Sequence, residues 1–217
     1  MNAYRILIAD DHEVVRRGIR SLLESHPGWE ICGEAKDGRE AVDLSRELKP
    51  DLVLLDIGMP NLNGLDAARQ IIASQPLTRV LVLTIHDSDQ VVRDVLAAGA
   101  RGFLLKSDAG RDLLTAVEAM QRHRTFFTSQ VAEIVLDGYL NTRYAPPVLP
   151  RHRLTPRERE VVQLLAEGKT SKEVAVALDL SVKTAETHRT NIMRKLDLHS
   201  VADLTLYAVR NGIIQVF

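Results

Sequence analysis

Over its first 125 residues the chain alternates between two apolar rhythms. Short aliphatic runs stand at RILIA (5–9), EICGEA (30–35), DLVLL (51–55), RVLVLT (79–84) and GFLL (102–105). Between them the apolar positions recur at helical spacing. EVVRRGIRSLLESH puts Val14, Ile19, Leu22 and Leu23 on one face, DGREAVDLSREL groups Ala41, Leu44 and Leu48, and LDAARQIIAS, DQVVRDVLAAG and GRDLLTAVEAMQRH behave alike. Near-continuous apolar strands separated by helices predict a parallel sheet covered on both faces. A five-stranded doubly wound, flavodoxin-like α/β sheet of order 2-1-3-4-5 is the expected fold.

The rhythm then changes. TFFTSQVAEIVLDGYL predicts one more short helix, and NTRYAPPVLPRHR follows with Pro146, Pro147 and Pro150. Three prolines in five residues continue neither a helix nor a central strand, so 141–153 reads as a stiffened linker. From Leu154 on the pattern is helical throughout. Thr155, Pro156 and Glu158 form a capping-box start, Gly168 ends that helix, and Thr170 or Ser171 caps the next. Ser181 caps a third helix over Val182–Leu196, and a fourth starts at Ser200 and stops at Gly212. The expected domains are 1–125 (α/β), 126–153 (short helix and linker) and 154–217 (a small all-α four-helix unit).

Charge separates the two halves. Residues 1–127 carry 16 Lys and Arg against 19 Asp and Glu, whereas residues 151–217 carry 11 against 8. An acidic front and a basic tail suggest two tasks, which the whole-chain net charge of −1 conceals. One cysteine, Cys32, forms no internal disulfide. With no apolar run long enough for a membrane span and no signal-peptide core, a cytoplasmic protein is expected. The histidines show no zinc-motif spacing.

Doubly wound sheets bind ligands beyond the carboxyl ends of their strands, where the winding reverses. Asp10 and Asp11 end the first strand and Asp56 ends the third, so three carboxylates converge there. Two unit charges ~4 Å apart repel by roughly 4 kcal/mol at an effective dielectric near 20. A divalent cation relieves that cost, and an incomplete all-oxygen ligand set suits Mg²⁺ or Mn²⁺. Thr84 closes the fourth strand and Lys106 the fifth, completing an anion site. Phosphoryl transfer onto Asp56 is the chemistry this set implies. Singly, each residue has a plainer reading: Asp11 as a helix cap, Asp56 in a turn, Thr84 as strand composition, Lys106 as a solvated charge.

The segments ADDH, LLDIGMPNLNG, VLTIHD and AGARGFLLK resemble receiver domains of the NarL/FixJ family of two-component response regulators, over residues 4 to about 124. The resemblance implies that Asp56 is the phosphoacceptor, charged by a cognate histidine kinase. Asp11 would ligate the metal directly, Asp10 mainly through water, and the Gly58 carbonyl would complete the protein ligands. Thr84 and Phe103 would form a switch pair, Phe103 standing where this subfamily usually has Tyr. LTPREREVVQLLAEGKTSKEVAVALDLSVKTAETHRTNIMRKLDLHS resembles a LuxR-type helix-turn-helix. In that motif the second helix reads the DNA major groove. Val182, Ala185, Ile192, Met193 and Leu196 should face the domain core. The resemblance places Glu186, Thr187 and Thr190 toward bases, and Lys183, Thr184, His188 and Arg189 toward phosphates. Lys195 adds a further cation, and Lys169 and Lys172 are placed to touch the DNA backbone. Val201, Leu204 and Tyr207 on the last helix are either a homodimer contact, formed on phosphorylation or DNA binding, or core.

Three alternatives are weighed. A flavodoxin-like FMN site needs a Ser/Thr/Gly loop where DDHEVVRRG stands. A haloacid-dehalogenase-like phosphatase needs a second Asp where Gly58 stands. The third is a phosphorylation-independent transcriptional regulator that uses the receiver as a dimerisation scaffold.

Overall fold

The computed structural model of the chain describes residues 3–85, 88–128, 131, 133 and 154–214. Five strands, β1 (Tyr4–Ala9), β2 (Trp29–Ala35), β3 (Leu52–Asp56), β4 (Arg79–Thr84) and β5 (Gly102–Leu105), alternate with helices α1 (Glu13–Glu24), α2 (Gly38–Leu48), α3 (Gly64–Ser74), α4 (Asp89–Ala97) and α5 (Ala109–Gln121). All strand pairs are parallel, in the order β2-β1-β3-β4-β5. Four further helices follow: α6 (Pro156–Ala166), α7 (Ser171–Ala177), α8 (Val182–Leu196) and α9 (Val201–Arg210). The chain divides into two compact units, Met1–Met59 with Gly64–Pro146, and Pro60–Asn63 with Pro147–Phe217. No helix among the described residues is long and apolar enough to cross a membrane.

In the first unit the central strand β3 is buried along its whole length, which explains its unbroken apolar run. The edge strand β2 alternates less cleanly and carries a register shift opposite Ile6 and Leu7, so Cys32 has no strand partner. Ile19 and Leu23 of α1, with Leu113, Ala116, Val117 and Met120 of α5, close one face of the sheet. Val14 does not join them: it is 84% exposed, because at 3.6 residues per turn it lies about 180° around α1 from Leu23, so the expected grouping of the two on one face was wrong. Its neighbour Val15, in the same first turn, packs against the core instead.

The helix expected over 125–140 and the linker over 141–153 lie for the most part outside the described residues. Where described, that segment begins as extended chain, and its residues 131 and 133 are helical as expected. Phe126 runs beside β5, its carbonyl accepting from Phe103 N–H and its own N–H donating to Arg101. The edge of β5 would otherwise present unpaired backbone groups.

In the second unit, the capping signals were accurate. Thr155 with Glu158, and Thr170 with Glu173, form reciprocal capping boxes, and Ser181 and Ser200 cap α8 and α9. Leu154, Val161, Val162, Leu165, Val174, Ala175, Ala185, Ile192, Leu204 and Ala208 form the shared core. Val182 is an exception to the expected inner face of α8. At 38% exposure it stands on the first turn, before the helix reaches the core.

Candidate functional site: a carboxylate pocket and a helical basic face

The pocket forms because β1 and β3 are adjacent, so their carboxyl ends deliver side chains to one place. Asp10 directly follows β1, is 1% exposed, and its N–H donates to Ala35. Asp56 is the last residue of β3 and is buried. Thr84 ends β4, also buried, and Lys106 follows β5 at the start of a short 3₁₀ turn. Lys106 Nζ lies 2.7 Å from Asp10 Oδ2 and 2.9 Å from Asp56 Oδ2. It is therefore no solvated surface charge. Asp11 does not cap α1 either: the N-cap is His12, and that side chain makes no capping bond.

The electrostatics follow from burial. Removal from water pushes the Asp56 carboxyl above the ordinary aspartate range, and Asp10 and Asp11 push it further, while Lys106 opposes them. Burial works against the Lys106 ammonium as well. There the attraction of Asp56 and Asp10 wins, and the amine is held above the usual lysine value. Both shifts are upward, for different reasons: one lysine cannot compensate two buried carboxylates and a third, half-buried, beside them. Carboxylate oxygens of Asp10, Asp11 and Asp56 and a His12 nitrogen lie within 4.8 Å of one another. That donor set, short of positive charge, fits a divalent cation. Gly58 sits half-buried two residues beyond β3, and Phe103 of β5 is 1% exposed, its ring inward.

Three residues that bear on the pocket escaped the sequence reading. Arg16 donates from its guanidinium to the Asp10 carbonyl at 2.7 Å and pairs with Glu34, bracing the end of β1. Gly64 opens α3 so close to β3 that any Cβ would overlap the Asp56 carbonyl, and its N–H donates to Ile57 at 2.9 Å. His12 turns Nδ1 to within 2.7 Å of Asp11 Oδ1. An adjacent acidic pair flanked by His was visible in the chain, but nothing in the spacing revealed where Arg16 or Gly64 would lie.

In the second unit, α7, a short turn and α8 form a helix-turn-helix. Asp179 in that turn takes a left-handed backbone (φ 52°). Lys183, Thr184, Glu186, Thr187, Arg189 and Thr190 of α8 are exposed, and His188 is half-exposed. Thr187 and Thr190 donate their hydroxyls to the carbonyls of Lys183 and Glu186, which fixes their rotamers. Lys172 is exposed on the first turn of α7, and Lys169 is half-buried in the preceding turn.

Lys195, expected as a further cation of the DNA-binding face, is engaged within the protein. Its ammonium is 2.6 Å from Glu158, the capping residue of α6, and its side chain is two-thirds buried. Burial raises the Glu158 carboxyl, but the bonds from Lys195 and Thr155 outweigh it and hold the group below its ordinary value. Lys195 therefore clamps two helices. On α9, Leu204 is buried and Tyr207 packs against the core, while Val201 is exposed with Leu206 and Val209.

Comparison with known proteins agrees with this arrangement. The family model described as "Response regulator receiver domain" matches residues 6–118, and "Bacterial regulatory proteins, luxR family" matches residues 152–208. The transcriptional regulatory protein LiaR of Bacillus subtilis is 39% identical, over 97% of this chain and 99% of its own. The oxygen regulatory protein NreC of Staphylococcus aureus is 38% identical, with 97% and 99% covered. Among solved structures, the RcsB response regulator of Salmonella typhimurium superposes with a TM-score of 0.62 at 28% identity, covering 97% of this chain and 99% of that one. An RcsB–DNA complex gives 0.59 at 28% identity, with the same coverage. The chain thus belongs to the NarL/FixJ-type response regulators, transcriptional regulators that join a receiver domain to a LuxR-type helix-turn-helix.

Proposed function

We propose that Asp56 accepts a phosphoryl group from the phosphohistidine of a cognate histidine kinase, and that this controls dimerisation and promoter binding in the cytoplasm. The observation that carries the reading is the position of Lys106, within 3 Å of both Asp10 and Asp56 at the mouth of the β1–β3 crevice. Asp10, Asp11, Asp56 and the Gly58 carbonyl would hold Mg²⁺ or Mn²⁺, which supplies charge neutralisation for the incoming phosphoryl group. An Asp56 oxygen attacks phosphorus, the P–N bond to the kinase imidazole breaks, and that imidazole leaves with the bond's electron pair. Lys106 and the Thr84 hydroxyl take the phosphoryl oxygens. Beyond this phosphotransfer to and from its own Asp56 the chain is not an enzyme.

The DNA-facing reading rests on the exposed set on α8. Glu186, Thr187 and Thr190 face bases, and Lys183, Thr184, His188 and Arg189 contact phosphates, aided by Lys172 and Lys169. Two copies on adjacent half-sites of double-stranded DNA raise affinity through effective concentration. The domain limits follow: receiver 1–125, connection 126–153, DNA-binding domain 154–217.

Incubation with Mg²⁺ and acetyl phosphate tests the phosphoacceptor. Intact mass should rise by one phosphoryl group, only with Mg²⁺, and Asp56→Ala should abolish the addition. Equal labelling of the variant would overturn the assignment. One feature favours the scaffold alternative: Phe103 is buried and lacks the hydroxyl that would reward an outward ring position. A receiver whose dimerisation is the same with Asp56 phosphorylated or replaced by Ala would establish that reading instead.

A further inference from the structure

His12 has a place in the pocket that the phosphoacceptor reading does not use. It occupies the N-cap of α1, where Ser, Thr, Asp or Asn normally accept a bond from the first turn. Its backbone is extended (φ −90°, ψ 108°), and its side chain makes no capping bond. The imidazole is instead drawn toward the carboxylates, Nδ1 lying 2.7 Å from Asp11 Oδ1 and 3.4 Å from Asp10 Oδ1. The ring is half-exposed, so it can rotate without disturbing the core.

We propose that His12 makes this pocket a mixed nitrogen–oxygen site that takes borderline divalent transition ions, Zn²⁺ foremost, in competition with Mg²⁺. The proposal rests on the reading of the pocket as a Mg²⁺-dependent phosphoacceptor site and names a regulation of it. The donor atoms of Asp10, Asp11, His12 and Asp56 lie within 4.8 Å of one another. Two ligands of one zinc ion, each about 2.0–2.2 Å away, stand no more than about 4.4 Å apart, so small side-chain rotations close the set. Mg²⁺ selects oxygen donors, retains waters and leaves the imidazole outside. Zn²⁺ accepts imidazole nitrogen readily and binds mixed sites more tightly than the earlier divalent ions. Lys106 beside Asp10 and Asp56 opposes any cation, and does so for both ions. Discrimination therefore falls to the one nitrogen donor. With Zn²⁺ in place Asp56 is a metal ligand in a different geometry, and Mg²⁺-dependent phosphorylation is inhibited.

Calorimetric titration of the full chain with ZnCl₂ and, separately, MgCl₂ tests this, using wild type, Asp56→Asn, His12→Asn and His12→Ala. Asn is a good N-cap, so His12→Asn keeps α1 supported. The chain has seven histidines, and the pocket site is defined as the Zn²⁺ binding lost in Asp56→Asn and displaced by excess Mg²⁺. Both His12 variants should weaken that Zn²⁺ site by about tenfold or more, and change Mg²⁺ affinity less than about threefold. Co²⁺ should give visible absorption bands in wild type that shift on loss of His12. Zn²⁺ affinity unchanged by either substitution, with Mg²⁺ binding intact, overturns the role of His12 alone. Loss of both ions to the same degree also overturns it. Absence of Mg²⁺ binding in every protein, with no mass gain from acetyl phosphate, removes the underlying reading as well.

Discussion

The carboxylate pocket and the exposed face of α8 are the two candidate sites of this chain, and they are built on opposite principles. Pocket residues are buried and held by neighbours: Lys106 bridges Asp10 and Asp56, Arg16 grips the backbone of Asp10, and Gly64 makes room beside Asp56. On α8 the outward residues are exposed, and the bonds that fix Thr187 and Thr190 are local to the helix. A buried charged site must be compensated in advance, because desolvation costs several kcal/mol per ion. An exposed reader can leave its partners to the ligand. Substitutions in the pocket should therefore change chemistry and stability together, whereas those of the exposed outward residues of α8 should change binding alone.

The largest effect should come from Gly64→Ala. The new methyl meets backbone, which cannot rotate away, so β3 and the start of α3 must separate. Thermal unfolding should show a loss of about 2–4 kcal/mol, with Mg²⁺-dependent phosphorylation falling alongside. A variant as stable as wild type would show that the close approach is not needed.

Asp56→Asn should act in the other direction on stability. A carboxyl whose folded pKa is raised favours the fold below its unfolded pKa and loses that contribution as pH rises through the folded value. At neutral pH the metal-free protein carries that cost, so the amide should raise Tm at pH 7 and do little near pH 3. By the same sign, Mg²⁺ affinity should weaken as pH falls through the Asp56 pKa, at a higher pH than an ordinary aspartate would require. Melting curves from pH 3 to 8, with and without Mg²⁺, check both. A stabilisation independent of pH would detach the effect from Asp56 ionisation.

Two cations of α8 then separate binding from architecture. Arg189→Ala should weaken DNA binding and flatten its salt dependence by about one ion without changing Tm. Lys195→Ala should leave the salt slope nearly unchanged and lower stability by about 1 kcal/mol, the scale of a partly exposed ion pair. A reversal of these outcomes would place Lys195 at the DNA phosphates and remove Arg189 from them.

Much of this molecule was legible in the chain because the signals were local. Strand and helix positions follow from apolar period, and the caps at Thr155, Thr170, Ser181 and Ser200 from single side chains that satisfy helix amides. The convergence of Asp10, Asp11 and Asp56 was also readable, since parallel strand order 2-1-3-4-5 sends the ends of β1 and β3 to one edge. Val14 was assigned to the wrong face, since it stands about 180° from Leu23 at 3.6 residues per turn. Val182 shows what the period cannot supply: it shares the inner face of α8 but lies in the first turn, where the neighbouring core does not reach.

By itself the sequence determined the element types, the sheet order, the carboxylate edge and the helix-turn-helix, because each depends on periodicity or on residues near one another in the chain. Only the tertiary structure decided which charges meet. It joined Lys195 to Glu158, set Arg16 against Asp10, turned His12 toward Asp11 and pressed Gly64 against Asp56. Such contacts depend on packing distances and side-chain direction between elements, and linear spacing carries neither.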